Sequence, residues 1–428
     1  MHYQRAFLLF VLIFLPLGLL ACPSWAQTTT DRTISIYQRQ IQRKPSDATA
    51  YYRLGDAYIQ KARESGDTQY INLAEQALRK SLEIAPNQGG PMRHLAYVLY
   101  YRHAFEEAAL QATKALSADP SDAQSYGIMG DAYYEMGQYD RAQEAYERMI
   151  ALRKDLYSYS RLAGLKSIRG DVEGAIADLE KAIQDGRENS RPGESIAWIQ
   201  WQLGMEHFAI GNLKEAEGKF TEALKSHPDY YRALAGLGLV RGSQKRYPEA
   251  IDLYRKAIAT NPHPNYIAAL GDVYQKAGRF DEAQKQYSLI EQMDPKAANK
   301  NFDERDLAYF YADHDIKLNE SLELAKMELE ERKDIYAYDL MAWTLYKNGK
   351  PQEALTAITE ALKLGTKDAK LFFHAGMIYY RLGEAERAKI YLRRALATNP
   401  YFHPFFVDVV ENTFREIDQG GLPHSSIK

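Results

Sequence analysis

The chain has 428 residues, 26% of them charged and 46% hydrophobic, with a formal net charge of −3. That balance is ordinary for a folded chain and argues against nucleic-acid partners or acidic membrane surfaces, both of which select for basic excess. Tyrosine is over-used, at 32 against 15 phenylalanines and 4 tryptophans, which suits a fold rich in half-buried rings with polar hydroxyl ends.

In chain order, residues 1–26 are expected to be a signal segment. Arg5 precedes an apolar run from Ala6 to Ala21 that contains Pro16 and Gly18. The run is short for a membrane span but suits a signal-peptide core. The chain is therefore expected to be exported, either periplasmic or lipid-anchored in the cell envelope. Two processing sites compete. Ser24 to Gln27 places small residues three and one before a cut after Ala26. Leu19 to Cys22 instead resembles a bacterial lipobox, in which Cys22 would be lipidated and supply the only membrane contact. Cys22 is the single cysteine, so either route leaves a mature chain without a disulfide.

From about residue 49 the chain repeats. A glycine or alanine recurs with a second small residue twelve positions later: Gly130 with Ala142, Gly204 with Ala216, Gly238 with Ala250, Gly271 with Ala283, Gly376 with Ala388, and likewise Ala96, Ala163 and Ala342. Prolines follow at Pro120, Pro228, Pro262 and Pro400, and Ala96 to Gly130, Gly204 to Gly238 and Ala342 to Gly376 are each 34 residues apart. Glycine inside a helix costs about 1 kcal/mol relative to alanine, so its recurrence needs a packing reason. Each unit reads as two helices broken at a glycine-bearing turn, with the small residues letting the two axes approach and proline ending the second helix.

This pattern, carried most completely by Leu270 to Pro295, resembles the tetratricopeptide repeat family. The resemblance covers about Thr49 to Phe402 in ten units. It implies an all-α, right-handed superhelical solenoid whose concave groove takes an extended peptide or a partner's helix. Asp56, Asp131 and Asp272, each following the contact glycine, are expected to face that groove rather than the paired helix.

Irregularities suggest segments: units one to four with a capping helix (31–189), units five to seven (190–297), units eight to ten with a closing helix (298–417), and a tail (418–428). The breaks fall at a polar insertion, Asp185 to Ser195, and at Lys296 to Phe302. Unit eight has Tyr309 where the small residue belongs and Ser321 where alanine is usual.

No catalytic pattern is present: there is no phosphate loop, no HExxH, no CxxC and no GxSxG. The triplet Asp313-His314-Asp315 falls at the expected turn of unit eight and reads as solvated. No catalytic residue, metal site or cofactor is expected, and the chain is read as a non-enzyme.

A second apolar stripe runs along several first helices. In unit five Leu203, Gly204 and His207 set the packing side. At about 100° per residue, Trp198, Trp201, Met205 and Phe208 fall roughly 120° away from it. Corresponding places hold Tyr97, Tyr100 and Tyr101 in unit two, Tyr134 beside Asp131 in unit three, Tyr336, Trp343 and Tyr346 in unit nine, and Phe373, Met377 and Tyr380 in unit ten. These rings either line a partner-binding groove, with Asp131 and Asp272 among them, or pack on the next unit and under the 185–195 insertion, Trp198 above all. The aspartates favour basic or neutral-polar segments. Relatives that grip a terminal carboxylate use groove asparagines, and none stands just after the contact residue here, so that activity is not expected.

The function expected is a non-catalytic scaffold for envelope proteins or peptide segments, without nucleic acid; the alternative is an accessory role in secreted polysaccharide or glycan handling. Mass spectrometry of the mature N-terminus is expected to show either a diacylglyceryl Cys22 or a chain beginning at Gln27. An intact Met1 terminus on the exported protein would overturn both.

Overall fold

The computed structural model describes residues 29–293 and 304–420. The signal segment with Cys22, the Lys296 to Phe302 break and residues 421–428 lie outside the described residues. The described chain is all helical. A single helix, α1 (Thr29–Arg43), precedes ten antiparallel pairs: α2 (Ala48–Ser65) with α3 (Gln69–Ile84), α4 (Gly89–Tyr101) with α5 (Phe105–Ala118), α6 (Ala123–Glu135) with α7 (Tyr139–Leu152), α8 (Leu156–Ile168) with α9 (Val172–Glu188), and α10 (Gly193–Ala209) with α11 (Leu213–Ser226). Then come α12 (Tyr231–Ser243) with α13 (Tyr247–Thr260), α14 (Pro264–Lys276) with α15 (Phe280–Glu291), α16 (Glu304–Asp313) with α17 (Leu318–Glu331), α18 (Ile335–Lys347) with α19 (Pro351–Ala361), and α20 (Ala369–Arg381) with α21 (Ala385–Thr398). A last single helix, α22 (Phe406–Asp418), closes the array, as solenoids need a terminal face that tolerates water.

Within a unit the contact glycine takes its closest contacts from beyond the small residue twelve positions on. It receives a bulky side chain one helical turn beyond that residue. A Cβ on Gly130 would stand 2.4 Å from the Tyr146 ring, on Gly271 2.4 Å from Tyr287, on Gly204 2.5 Å from Phe220, and on Gly376 2.6 Å from Leu392. The alanine opposite is buried as well, and in unit one the Ala74 carbonyl oxygen would stand 3.4 Å from a Cβ on Gly55. The aspartate after the glycine then has a task. The Tyr146 hydroxyl donates to Asp131 at 2.9 Å, and the Tyr287 hydroxyl to Asp272 at 2.8 Å. Glycine seats the ring and its neighbour accepts the ring's proton. Asp131 and Asp272 thus each bond to the paired helix; Asp131 also lines the hollow formed by the first helices, whereas Asp272 is buried against His314.

Unit eight is corrected by one position. Ser321, fully buried, donates to the Ala308 carbonyl at 2.7 Å, so Ala308 and not Tyr309 is its contact residue. One extra residue in the turn, where Asp315 and Lys317 adopt positive φ, shifts the spacing. The 185–195 insertion is mostly helical. It lengthens α9 and α10 to 17 residues each, and these two helices pack on each other across the expected 189/190 break.

The array winds far enough for its later units to rest on its earlier ones. The turn inside unit three meets the loop after unit eight: the Ile335 N–H donates to the Tyr139 hydroxyl at 2.9 Å, and a Cβ on Gly137 would stand 2.1 Å from the Lys333 carbonyl oxygen. The unit-four turn meets the loop after unit nine, where Thr366 donates to the Ile168 carbonyl. The unit-five turn meets the loop after unit ten, where Asn399 donates to the Phe208 carbonyl at 2.8 Å. The offset is five units each time. Gly137 sits at φ 68, where only glycine combines a left-handed turn with so close a backbone approach. A shared apolar core, with Tyr139, Leu165 and Ile168 against Ile335, Ile358 and Leu371, seals the contact.

Phe220 lies between Gly204 and Gly236 of the following unit, where an added Cβ would stand 2.7 Å from its ring. Gly204→Ala is therefore expected to destabilise by about 1–3 kcal/mol through overpacking and Gly204→Leu by more, read by denaturant unfolding. Combination with Phe220→Leu should recover part of the loss. Additive penalties would count against this contact.

Candidate functional site

The winding forms a half-open cavity of about 500 Å³ among the first helices of units one to six. Its wall takes Arg63 from α2, Tyr97, Tyr100 and Tyr101 from α4, Asp131 and Tyr134 from α6, Tyr157 and Arg161 from α8, Trp198 and Gln202 from α10, and Arg232 from α12. A smaller hollow of about 220 Å³ shares Arg63, Tyr97, Tyr157 and Arg161 and extends to Asp56 and His94. Tyr101, 38% exposed, connects the wall to solvent.

Six of the thirteen residues expected at a groove meet here: Tyr97, Tyr100, Tyr101, Asp131, Tyr134 and Trp198. Trp201 stands beside them, half-buried, with the Arg232 guanidinium 5.1 Å from its ring centre. The other six lie elsewhere, and most are sealed. Phe208 belongs to the unit-five core and Asp272 is buried against His314. Trp343 is 2% exposed, stacked between Tyr346 at 5.0 Å and His374 at 4.1 Å. Phe373 stacks on Phe406 at 4.4 Å, and the Tyr380 hydroxyl donates to Glu416 at 2.6 Å. The groove expected at units nine and ten is thus filled, because the closing helix α22 lays Phe406 against Trp343 and Phe373. The aromatic stripe there is core.

Within the cavity the acids are satisfied. Asp131 accepts from the Arg161 Nε and Nη2 at 2.8 and 2.7 Å as well as from Tyr146. Asp56 is held below the usual carboxylate range by a hydrogen bond from His94, 3.1 Å away. These are one pair of repeat positions, the residue after the contact residue in one unit with the residue two before it in the next; aligning the units on both positions would have exposed it. Arg63 pairs with Glu194 at 2.8 Å. Burial raises Tyr97 and Tyr100, and pushes Tyr101 up to about 12. The phenols therefore stay protonated at neutral pH and offer hydroxyl donors. The wall can hold a ligand by ring contact and hydrogen bonds. Sequence reasoning missed Arg63, Tyr157, Arg161, Glu194, Gln202 and Arg232, because the search followed the aromatic stripe of each helix and not what neighbouring units present to one another.

The second half carries a polar network where the sequence suggested a solvated turn. Asp313 accepts from the Trp343 indole at 2.7 Å and from Lys370 at 3.0 Å. Burial would raise its carboxyl, but Lys370 and the neighbouring histidines bring it down to about 2. His314 contacts Asp272 at 2.9 Å; only Asp315, ion-paired to Lys347, is exposed. No group of three or more His, Cys, Asp or Glu side chains suited to a metal ion occurs among the described residues. No helix among the described residues is long and apolar enough to cross a membrane.

Comparison with known proteins agrees with the repeat geometry. Family models described as tetratricopeptide repeat match residues 48–88, 112–144, 129–191, 202–263, 243–300 and 340–401. The chain belongs to the tetratricopeptide repeat family, whose fold suits a non-catalytic scaffold for protein–protein interaction. It is 23% identical over 309 residues to the TPR repeat-containing protein MJ1428 of Methanocaldococcus jannaschii, covering 71% of this chain and 49% of that protein. It is 24% identical over 204 residues to the TPR repeat-containing protein YpiA of Bacillus subtilis, covering 46% and 40%. The chain thus spans half or less of these relatives. Among solved structures, yeast Tom70 aligns over 91% of this chain and 93% of its own at 14% identity, with a TM-score of 0.40.

Burial holds His403 down to about 4, so the folded imidazole stays neutral where the unfolded one, at its ordinary 6.5, takes up a proton. The unfolded chain binds more protons between these values. This contribution to stability is complete above pH 6.5 and is lost as pH falls towards 4. For His314, burial acts downward but Asp272 overcomes it, and the net shift is upward; its contribution has the opposite sign. His403→Phe is therefore expected to lose less melting temperature than the native chain between pH 7 and 5. Equal losses would mean that His403 does not fold as the neutral form.

Proposed function

We propose that the chain is an exported scaffold of the cell envelope that holds a segment of a partner protein in the tyrosine-walled cavity of units one to six. The observation that carries the reading is the convergence of Tyr97, Tyr100, Tyr101, Tyr134 and Trp198 from three units on one hollow. Tyrosine and tryptophan give large contact area at little entropy cost and dominate interface hot spots. Family membership supports a protein partner, and the apolar leader at Ala6 to Ala21 supports export, with Cys22 as the residue for a lipid anchor.

Glycan handling draws on the same rings. It is weakened because Asp131 and Glu194, the carboxylates that would meet sugar hydroxyls, are already bound by Arg161 and Arg63.

The test is recovery of partners from envelope extract on the immobilised chain, beside a Tyr101→Ala/Trp198→Ala variant first shown to melt like the native protein. One stoichiometric protein, lost with the variant, is the expected result. Glycan recovered without protein would transfer the reading to the alternative, and retention of the partner by the variant would remove the cavity from it.

A further inference from the structure

The near-neutral total charge hides one basic face. The first helix, α1, turns Ile34, Tyr37 and Ile41 into the core of the opening units. At about 100° per residue, Arg32, Ile36, Arg39 and Arg43 fall within about 60° of one another on the opposite side. All four are exposed, Ile36 at 52%. None of the three arginines pairs with a carboxylate among the described residues. The one acid of α1, Asp31, lies off this stripe and is held by Lys61 at 2.8 Å.

A capping helix needs only a face that tolerates water. Like charges one turn apart, as on Arg39 and Arg43, repel each other and destabilise a helix, so an uncompensated stripe around an exposed isoleucine calls for a partner. The cap at the other end shows the contrast. On α22, Asp408 and Asp418 pair with Lys276 and Lys389 at 2.8 and 2.6 Å. Charge at that end is balanced within the chain, which leaves a second copy little with which to neutralise α1.

The position of α1 in the chain identifies the partner. Six residues separate Cys22 from Thr29, where α1 begins. At about 3.5 Å per residue such a tether spans at most about 25 Å, close to the roughly 22 Å length of a 15-residue helix. Resting on the lipid-anchor part of the reading above, we propose that the outer face of α1 docks on a bilayer containing anionic phospholipid. The guanidinium forks of Arg32, Arg39 and Arg43 meet headgroup phosphates, and Ile36 enters the interface between them. Acyl chains on Cys22 hold the protein at the membrane; the α1 face sets how it lies there, with the N-terminal end of the array against the bilayer. Cys22 is then not the sole membrane contact, and the local charge overrides what the total suggested.

The test sediments the chain from Gln27 onward, which keeps every described residue but carries no acyl group, with vesicles of phosphatidylcholine alone or with about one third phosphatidylglycerol. Binding is expected to the anionic vesicles only, and to fall as salt is raised. Each of Arg32→Gln, Arg39→Gln and Arg43→Gln should lower the partition coefficient about fivefold, equivalent to ~1 kcal/mol for one basic residue near the surface. Ile36→Ser should lower it without changing the salt dependence. All four positions are exposed, so these variants should melt like the native chain. The combination Lys114→Gln/Arg148→Gln/Arg393→Gln, exposed on other helices, removes as much charge as the three α1 changes together and should bind as the native chain does. An equal loss in that control, equal binding to both vesicles, or binding to neither would overturn the inference. So would self-association that Arg39→Gln abolishes, which would give the face to a second copy. Each of these outcomes leaves recovery of a partner protein from extract unchanged, so the scaffold reading is decided separately.

Discussion

The architecture depends on a ring seated against a helix that has no side chain at the point of contact. In units three and seven a tyrosine lies on Gly130 or Gly271 and delivers its hydroxyl to the next residue, Asp131 or Asp272. The glycine costs helix propensity; the buried ring and its satisfied hydroxyl offset that cost. The same seat takes Phe220 on Gly204 and Leu392 on Gly376, positions whose ring or alkyl group needs no acceptor, and there the next residue is Met205 or Met377. In these four units the residue after the glycine suits the chemistry of the partner sixteen residues on, whereas in unit six Tyr254 takes the same seat on Gly238 with Leu239 following.

Glycine makes this seat in six units and alanine holds its place in the other four; small rotations from pair to pair accumulate into a winding. The loop after each of units eight to ten comes to rest on the turn inside the unit five earlier, through the Ile335 N–H, the Ile168 carbonyl and the Phe208 carbonyl, the last of which also accepts from the Gly211 N–H. Buried backbone groups need partners, and the closure supplies them. The winding also divides the interior. In the later units Trp343, Phe373 and Phe406 fill it, with Asp313, His314 and His374 hydrogen-bonded among them. In the earlier units none of the described helices plays that part, and a tyrosine-walled hollow stands among them.

Charge in that hollow comes from relations between units. Asp131 and Arg161 cancel, as do Glu194 and Arg63, the latter brought together from units one and five by the insertion that lengthens α10. Arg232 stands among the rings of Trp201 and Tyr231, with no carboxylate paired to it among the described residues.

The sequence by itself determined the unit, the helix pair, the number of units and the presence of capping helices, because small residues, turn glycines and terminating prolines act within about 34 residues. It also placed Tyr97, Tyr100, Tyr101, Tyr134 and Trp198 on one face, since helical periodicity is local. Only the tertiary structure decided that Trp343, Phe373 and Tyr380, on the same kind of face, are core, and that Asp131 is bound by Tyr146 and Arg161 in the cavity wall. A helical face fixes direction from its own axis but not what a neighbour five units away brings to it. The accumulated winding settles that, and no single repeat encodes it.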